Sequence, residues 1–191
     1  MATDVGASTP STTAIRLPAA TATASMFIFC FATWNLHGLA HPDNAVNDET
    51  RLKRELKREQ LSLDCERYGI DVLGVQETKC VSAEDINFAN KYRLIVLDQK
   101  HCRHGGIGFV ISPKIAPYIS SFIQISDRVA YMDIAIPLKS GAHRNFRVVN
   151  CYGLTSAKSK EKPREFRKFY QELNSACLVP SKWELFFYYY Y

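Results

Sequence analysis

Three polar residues sit where the chain's apolar runs give out. Asn35 closes the stretch that begins at residue 27 and runs through Thr33-Trp34, Glu77 follows the run 70–75, and Tyr152 follows the run 146–151. Sheet proteins often carry their working groups at strand ends, where a rigid scaffold aims them. The Glu77 carboxylate is the hard oxygen ligand that Mg²⁺ prefers, and that ion usually takes only one or two carboxylates, completed by water and phosphate. Asn35 would set an amide oxygen or nitrogen beside such an ion, and Tyr152 would offer a phenol to a phosphate oxygen. Each residue also has a plainer reading: a turn asparagine, a solvated glutamate ahead of Thr78-Lys79, a packing tyrosine. Position alone proposes a site without establishing one.

The elements that must hold these residues follow from periodicity. Residues 27–31 are β-prone and apolar, and the runs 70–75, 92–97, 107–111, 122–126, 129–136 and 146–151 read as further strands. Residues 48–67 read as an amphipathic helix with Leu52, Leu56 and Leu63 as its apolar face. Arg51, Lys53, Arg54, Lys57 and Arg58 fill much of the remainder, and Gly69 marks the stop. Ser82-Ala83-Glu84-Asp85 resembles a capped helix start. A last helix begins near Pro163, and its Phe166, Phe169, Tyr170 and Leu173 form a core-facing stripe. Strands interleaved with helices predict an α/β (α+β) fold.

Bulk properties bound the class. The 191 residues suffice for one ordinary domain, and 47% apolar with 12% aromatic residues describes a core-forming chain. A net charge of +5 is compatible with a polyanionic partner. The six cysteines form no C-x-x-C pair and lie mostly in apolar runs, which favours free thiols in a reducing, intracellular compartment. His101-Cys102-Arg103-His104 gathers three metal-ligand types, but with no second cluster it reads as a polar loop. No run approaches the ~20 apolar residues of a membrane-spanning helix, so no membrane partner is expected. Residues 1–25, nearly all Ala, Thr, Ser, Pro and Gly, read as a disordered tail.

Taken together, Thr33-Trp34-Asn35-Leu36-His37-Gly38-Leu39, Gly74-Val75-Gln76-Glu77-Thr78-Lys79, Gly105-Gly106-Ile107-Gly108-Phe109, Asp127-Arg128-Val129 and Val148-Val149-Asn150-Cys151-Tyr152 resemble, in order, the endonuclease/exonuclease/phosphatase superfamily. Within it they look most like the branch of apurinic-type endonucleases, non-LTR retrotransposon endonucleases and craniofacial-development-protein-2-like sequences. Gln76-Glu77-Thr78-Lys79 is the most specific element. The resemblance implies a two-layer β-sandwich flanked by helices. It implies Glu77 as the Mg²⁺ carboxylate, Asn35 as its active-site and metal-side neighbour, and Tyr152 as a phosphate contact. The implied chemistry is metal-assisted hydrolysis of a phosphodiester, with nucleic acid favoured over a lipid or inositol phosphate.

The resemblance spans about residues 26–176 and so predicts a partial domain, cut before the C-terminal half, followed by an unrelated apolar, aromatic tail at 177–191. Relatives place a further Asp and Asn beyond the Tyr152 strand and an Asp-His pair near the domain's end. Here the last aspartate is Asp133 and the last histidine His143. In the place of His37, several relatives carry a carboxylate. The expectation is a nuclease-type site with half its catalytic set, inactive as this chain. The alternatives are a remnant that binds nucleic acid or a partner weakly through Arg51–Arg58, or a phosphatase of the same fold. Missing strands would leave open sheet edges and an apolar face prone to association.

Overall fold

The computed structural model describes residues 11–14, 29–39, 47–80, 82–98, 105–154 and 162–190, with side chains for all but 11–14 and 187–190. Two β-sheets face one another, with a helix on the outer side of each. The first sheet has the order β1-β2-β3-β6-β5-β4: β1 (Ser11–Ala14), β2 (Cys30–Asn35), β3 (Val72–Gln76), β4 (Glu84–Asn87), β5 (Arg93–Val96) and β6 (Ile107–Ile111). The second has the order β10-β9-β8-β7: β7 (Ile119–Ser126), β8 (Val129–Pro137), β9 (His143–Tyr152) and β10 (Trp183–Tyr190). Helix α1 (Asp48–Arg67) joins β2 to its parallel neighbour β3, and α2 (Pro163–Cys177) lies on the second sheet.

Strand alternation sorts the side chains into three layers. Phe31 of β2, Val72 of β3, Phe109 and Ile111 of β6, Met132 and Ile134 of β8, and Phe146 and Val148 of β9 meet between the sheets. The opposite faces serve the helices: Leu73, Val75 and Val110 pack under α1, and Val129, Val149 and Cys151 under α2. Strand β3 is buried along its whole length because β2 and β6 flank it and both faces are covered. At Gly108 a Cβ would come within 2.5 Å of the Ile95 carbonyl oxygen, so only glycine lets β5 and β6 approach this closely.

Four expectations change. The buried stripe of α1 is Arg58, Leu61, Ser62 and Cys65, whereas Leu52, Leu56 and Leu63 are 55%, 58% and 44% exposed. A charged residue can occupy that stripe because both terminal nitrogens of the Arg58 guanidinium are engaged, its Nε alone being buried without a partner. It pairs with the Glu84 carboxylate and donates to the Leu39 carbonyl at 2.8 Å. The leucine spacing alone therefore pointed to the wrong side of the helix. Residues around Ser82-Ala83-Glu84-Asp85 start no helix: Glu84–Asn87 is strand β4, antiparallel to β5. Glu84 is drawn inward to Arg58, and Asp85 takes a two-pronged contact from Arg93 at 2.8 and 2.6 Å.

The expected N-terminal tail contains β1, which pairs antiparallel with β2 from Ser11↔Thr33 to Ala14↔Cys30. Pairing to an open edge requires only backbone groups, so its small polar composition is no obstacle. The rest of residues 1–25 lies outside the described residues, as does His101–His104. The aromatic tail is likewise built in. Strand β10 runs parallel to β9 in the register Trp183↔Asn145 to Tyr190↔Tyr152, and Phe186 stacks on Phe31 with ring centroids 4.5 Å apart. The second sheet is thus extended by a strand that covers the outer edge of β9. Neither described helix is long and apolar enough to cross a membrane.

Burial raises the thiols of Cys65, Cys80 and Cys151 to about 12. Their protonated form is favoured by the folded chain, so this contribution to stability is present below about pH 9 and is lost as pH rises toward 12. At pH ~8.5, where a free thiol is about half ionised, these three are expected to resist a thiol-specific reagent until the chain is unfolded. Labelling of the native protein followed by peptide mapping checks this; modification of Cys65, Cys80 or Cys151 at the denatured rate would contradict it.

Candidate active site

The carboxyl-terminal ends of β2, β3 and β9 come together at one end of the sandwich and bring Asn35, Glu77 and Tyr152 into a single hydrogen-bonded group. Strands β2 and β3 are parallel and adjacent, with Asn35 opposite Gln76, so the residue that leaves each strand emerges on the same side. Asn35 Nδ2 donates to Glu77 Oε1 at 2.9 Å, and the Tyr152 hydroxyl donates to the same oxygen at 2.9 Å. Asn35 Oδ1 accepts the His37 backbone N–H at 3.0 Å, which fixes the orientation of the amide. Both polar ends of Asn35 are therefore used in aiming Glu77 and shaping the turn after β2.

The chain leaves both strands under strain. His37, Glu77 and Lys79 have φ of 51°, 52° and 54°, a left-handed region that residues with a Cβ enter rarely and at a cost. Neighbours hold them there. Leu36 N–H donates to the Gln76 carbonyl at 2.9 Å, and the N–H groups of Thr78 and Lys79 donate to Gly106 and Gly105 at 3.2 and 2.9 Å. Lys57, projecting from α1, donates to the carbonyls of Leu36 at 2.7 Å and Gly38 at 2.5 Å. Burial and the nearby Lys79 ammonium lower its pKa.

Glu77 is mostly buried, with 17% of its side chain exposed. That burial disfavours its charged form but is outweighed by the hydrogen bonds from Asn35 and Tyr152 and by the positive neighbours His37 and Lys79, so its pKa is lowered. Its second oxygen, Oε2, lies 3.4 Å from His37 Nδ1 and 3.8 Å from Lys79 Nζ. Arg128 stands over the Tyr152 ring at 5.0 Å and donates to the carbonyls of Tyr152 and Gly153 at 3.3 and 3.2 Å. On its far side a cleft of about 560 Å³ opens between the β7–β8 turn and α2, lined among others by Asp127, Lys162 and Phe169. Glu77 is not on its wall.

Behind the surface group lies an amide clasp between the sheets. Gln76 Nε2 donates to Thr33 Oγ1 at 2.8 Å and to Asn150 Oδ1 at 2.6 Å. Asn150 Nδ2 donates to the carbonyls of Val75 and Gly108 at 3.1 and 2.8 Å. Gln76 and Asn150 are wholly buried. Each is one or two residues from a site residue, so the clasp fixes the spacing of Glu77 from Tyr152. Sequence reading missed this clasp, along with the roles of Lys57 and Arg128. The only signal was alternation, which puts Thr33, Gln76 and Asn150 on inward-facing positions where an apolar residue is the rule.

The basic run Arg51–Arg58 is largely engaged within the molecule. Arg51 pairs with Glu55, Lys53 with Glu49 and Arg58 with Glu84, while Lys57 closes the loop after β2.

Among the described residues no three His, Cys, Asp or Glu side chains cluster as a metal cage. What the site offers is one hard carboxylate, ionised through the neutral range, with Oε1 anchored by Asn35 and Tyr152 and Oε2 facing His37 and Lys79. That suits an ion held by few protein ligands and completed by water and phosphate. Glu77 would be the residue that holds it.

The sequence profile of the Endonuclease/Exonuclease/phosphatase family matches residues 32–181. Among solved structures, the catalytic domain of Xenopus laevis APE2 superposes with a TM-score of 0.52 at 12% identity, over 76% of this chain and 52% of that one. An endonuclease/exonuclease/phosphatase family protein from Bacteroides thetaiotaomicron gives a TM-score of 0.33 at 8% identity, over 90% of this chain and 60% of that one. The chain thus spans about half the length of the APE2 domain. No curated protein sequence matches.

Proposed function

The chain belongs to the endonuclease/exonuclease/phosphatase family, whose members generally use a divalent metal, and from that premise we propose that it carries the ion- and phosphate-binding part of a metal-assisted phosphodiesterase site acting on nucleic acid. The carrying observation is the convergence of Asn35 and Tyr152 on one oxygen of Glu77, which leaves the other outside those two bonds. Asn35 orients the carboxylate, and Glu77 holds the ion. A phosphate oxygen drawn to the site competes with Glu77 for the Tyr152 hydroxyl proton. A divalent ion bound there supplies neutralisation of the charge that develops when water attacks phosphorus. Lys79 and the formal charge of +5 add attraction for a polyanion.

Turnover also needs a group that activates water. In these 191 residues no aspartate follows Asp133 and no histidine follows His143, and Asp133 is already paired with Arg147 under α2. The proposal is therefore binding with negligible cleavage by this polypeptide on its own. The full chain is expected to bind labelled duplex DNA in a Mg²⁺-dependent way, to lose that dependence on Glu77→Gln, and to nick supercoiled plasmid no faster than the variant. Nicking that Glu77→Gln abolishes would overturn the inactive reading. Metal-dependent binding that ignores Glu77→Gln would overturn the site itself.

A further inference from the structure

We infer that the free edge of β10 is an interface at which a second copy of this chain pairs, strand to strand and antiparallel, joining two four-stranded sheets into one.

The two sheets end in the edge strands β1, β4, β7 and β10. A free edge presents a row of unpaired N–H and C=O groups, and monomeric proteins blunt it with short strands, charges or bulges. Three of these edges are blunted in such ways. Strand β1 has only four residues, and β4 has four that include Glu84 and Asp85. Strand β7 is longer, but its pairing with β8 shifts register between Ile119 and Ser121 and again between Gln124 and Ser126. Strand β10 has none of these devices. It runs eight residues in unbroken register with β9, and among the described residues no strand pairs with its other side.

The occupant that fits this edge is the same edge on another molecule. Its one charged residue, Glu184, is already held by Arg144 at 2.6 Å, and residues 185–191 carry no charge. In an antiparallel pair, opposed residues share a face, so a twofold axis between identical strands must pass through a residue position. An axis at Phe187 sets Glu184 opposite Tyr190 and Leu185 opposite Tyr189, and no like charges meet. Such a contact closes at two copies, and the bulged β7 strands become the edges of the joined sheet. Exposed apolar surface adjoins the edge. Leu185 stands level with Arg147 of β9 and so faces the α2 side, where Arg147 donates to the carbonyl of Leu178. Leu185 is 40% exposed and Leu178 69%.

The test follows the mass of the full chain by light scattering across a dilution series, with backbone hydrogen exchange on the same samples. Twice the mass of one chain is expected at high concentration, falling to a single mass on dilution. The outward-facing amides of residues 184–190 should exchange faster as the pair dissociates, while those of β7 stay unchanged. Leu185→Lys places a charge on the edge and removes both equivalent Leu185–Tyr189 pairs, so the dissociation constant should rise about tenfold. Ile123→Lys, at an exposed position of β7, should leave it unchanged. A single mass at every concentration would overturn the inference. So would a dimer weakened by Ile123→Lys more than by Leu185→Lys, or particles that keep growing beyond two chains. Should Leu185→Lys fail to fold, the unaltered chain still decides: β10 exchange that ignores dilution defeats the pairing.

Discussion

Arg147→Met is expected to destabilise the folded chain by about 3–5 kcal/mol, the usual cost of stripping one partner from a buried ion pair. Arg147 Nε and Nη2 donate to the two oxygens of Asp133 at 2.7 and 2.8 Å, with only 11% and 8% of the two side chains exposed. Its remaining nitrogen donates to the carbonyls of Ala176 at 3.3 Å and Leu178 at 3.0 Å, which ties the end of α2 to the second sheet. The guanidinium also lies 3.7 Å from the Tyr131 ring centroid. Methionine can replace the apolar stem but none of the charge, so Asp133 is left buried and ionisable. Urea unfolding reads the loss as a lower midpoint at constant slope. The double variant Arg147→Met/Asp133→Leu should recover most of it, because removing both charges removes the desolvation cost along with the attraction. A double variant no more stable than the single one would show that the carbonyl contacts to α2, and not the charge pair, carry the effect.

Asn150→Leu should cost about 2–4 kcal/mol and should impair the site as well, although Asn150 lies beneath it. The side chain is wholly buried and makes three hydrogen bonds, one accepted from Gln76 and two donated to backbone carbonyls of the first sheet. Leucine keeps the volume and removes all three, leaving buried polar groups without part of their hydrogen bonding at about 1–3 kcal/mol for each serious orphan. Gln76 retains Thr33, which limits the loss. Because Asn150 is two residues from Tyr152 and Gln76 one from Glu77, slackening the clasp should also weaken the bond between Tyr152 and Glu77. The paired measurement is unfolding in urea and metal-dependent DNA binding on the same preparation. A stable variant with undiminished binding would mean that the two sheets hold their spacing through apolar packing alone.

Much of the candidate site was legible because the residues proposed for it stand at strand ends, and a strand's end is a local property. Asn35, Glu77 and Tyr152 could be picked out from where apolar runs stop, and the runs themselves reflect the short-range alternation and crowding that favour strands. What failed locally failed for physical reasons that lie elsewhere in the chain. The α1 stripe was misread because Arg58 is neutralised by Glu84, 26 residues away, so a charged position could face inward. The stretch at Ser82-Ala83-Glu84-Asp85 looked like a helix start until β5 offered it an edge to pair with. The aromatic run after residue 182 has the same composition whether it associates with other chains or pairs at home; β9 determined that it pairs here.

The sequence by itself determined the runs that became β2, β3 and β5 to β9, the two long helices, the family, and the three polar residues where apolar runs stop, since each depends on short stretches of chain. Only the tertiary structure decided that Asn35 and Tyr152 share one oxygen of Glu77, across 42 and 75 residues, and that His37 faces the other. It also decided that Gln76 and Asn150 clasp the sheets beneath them. Those contacts come from the packing of two sheets face to face, and no periodicity along the chain encodes which side chains meet when the sheets close.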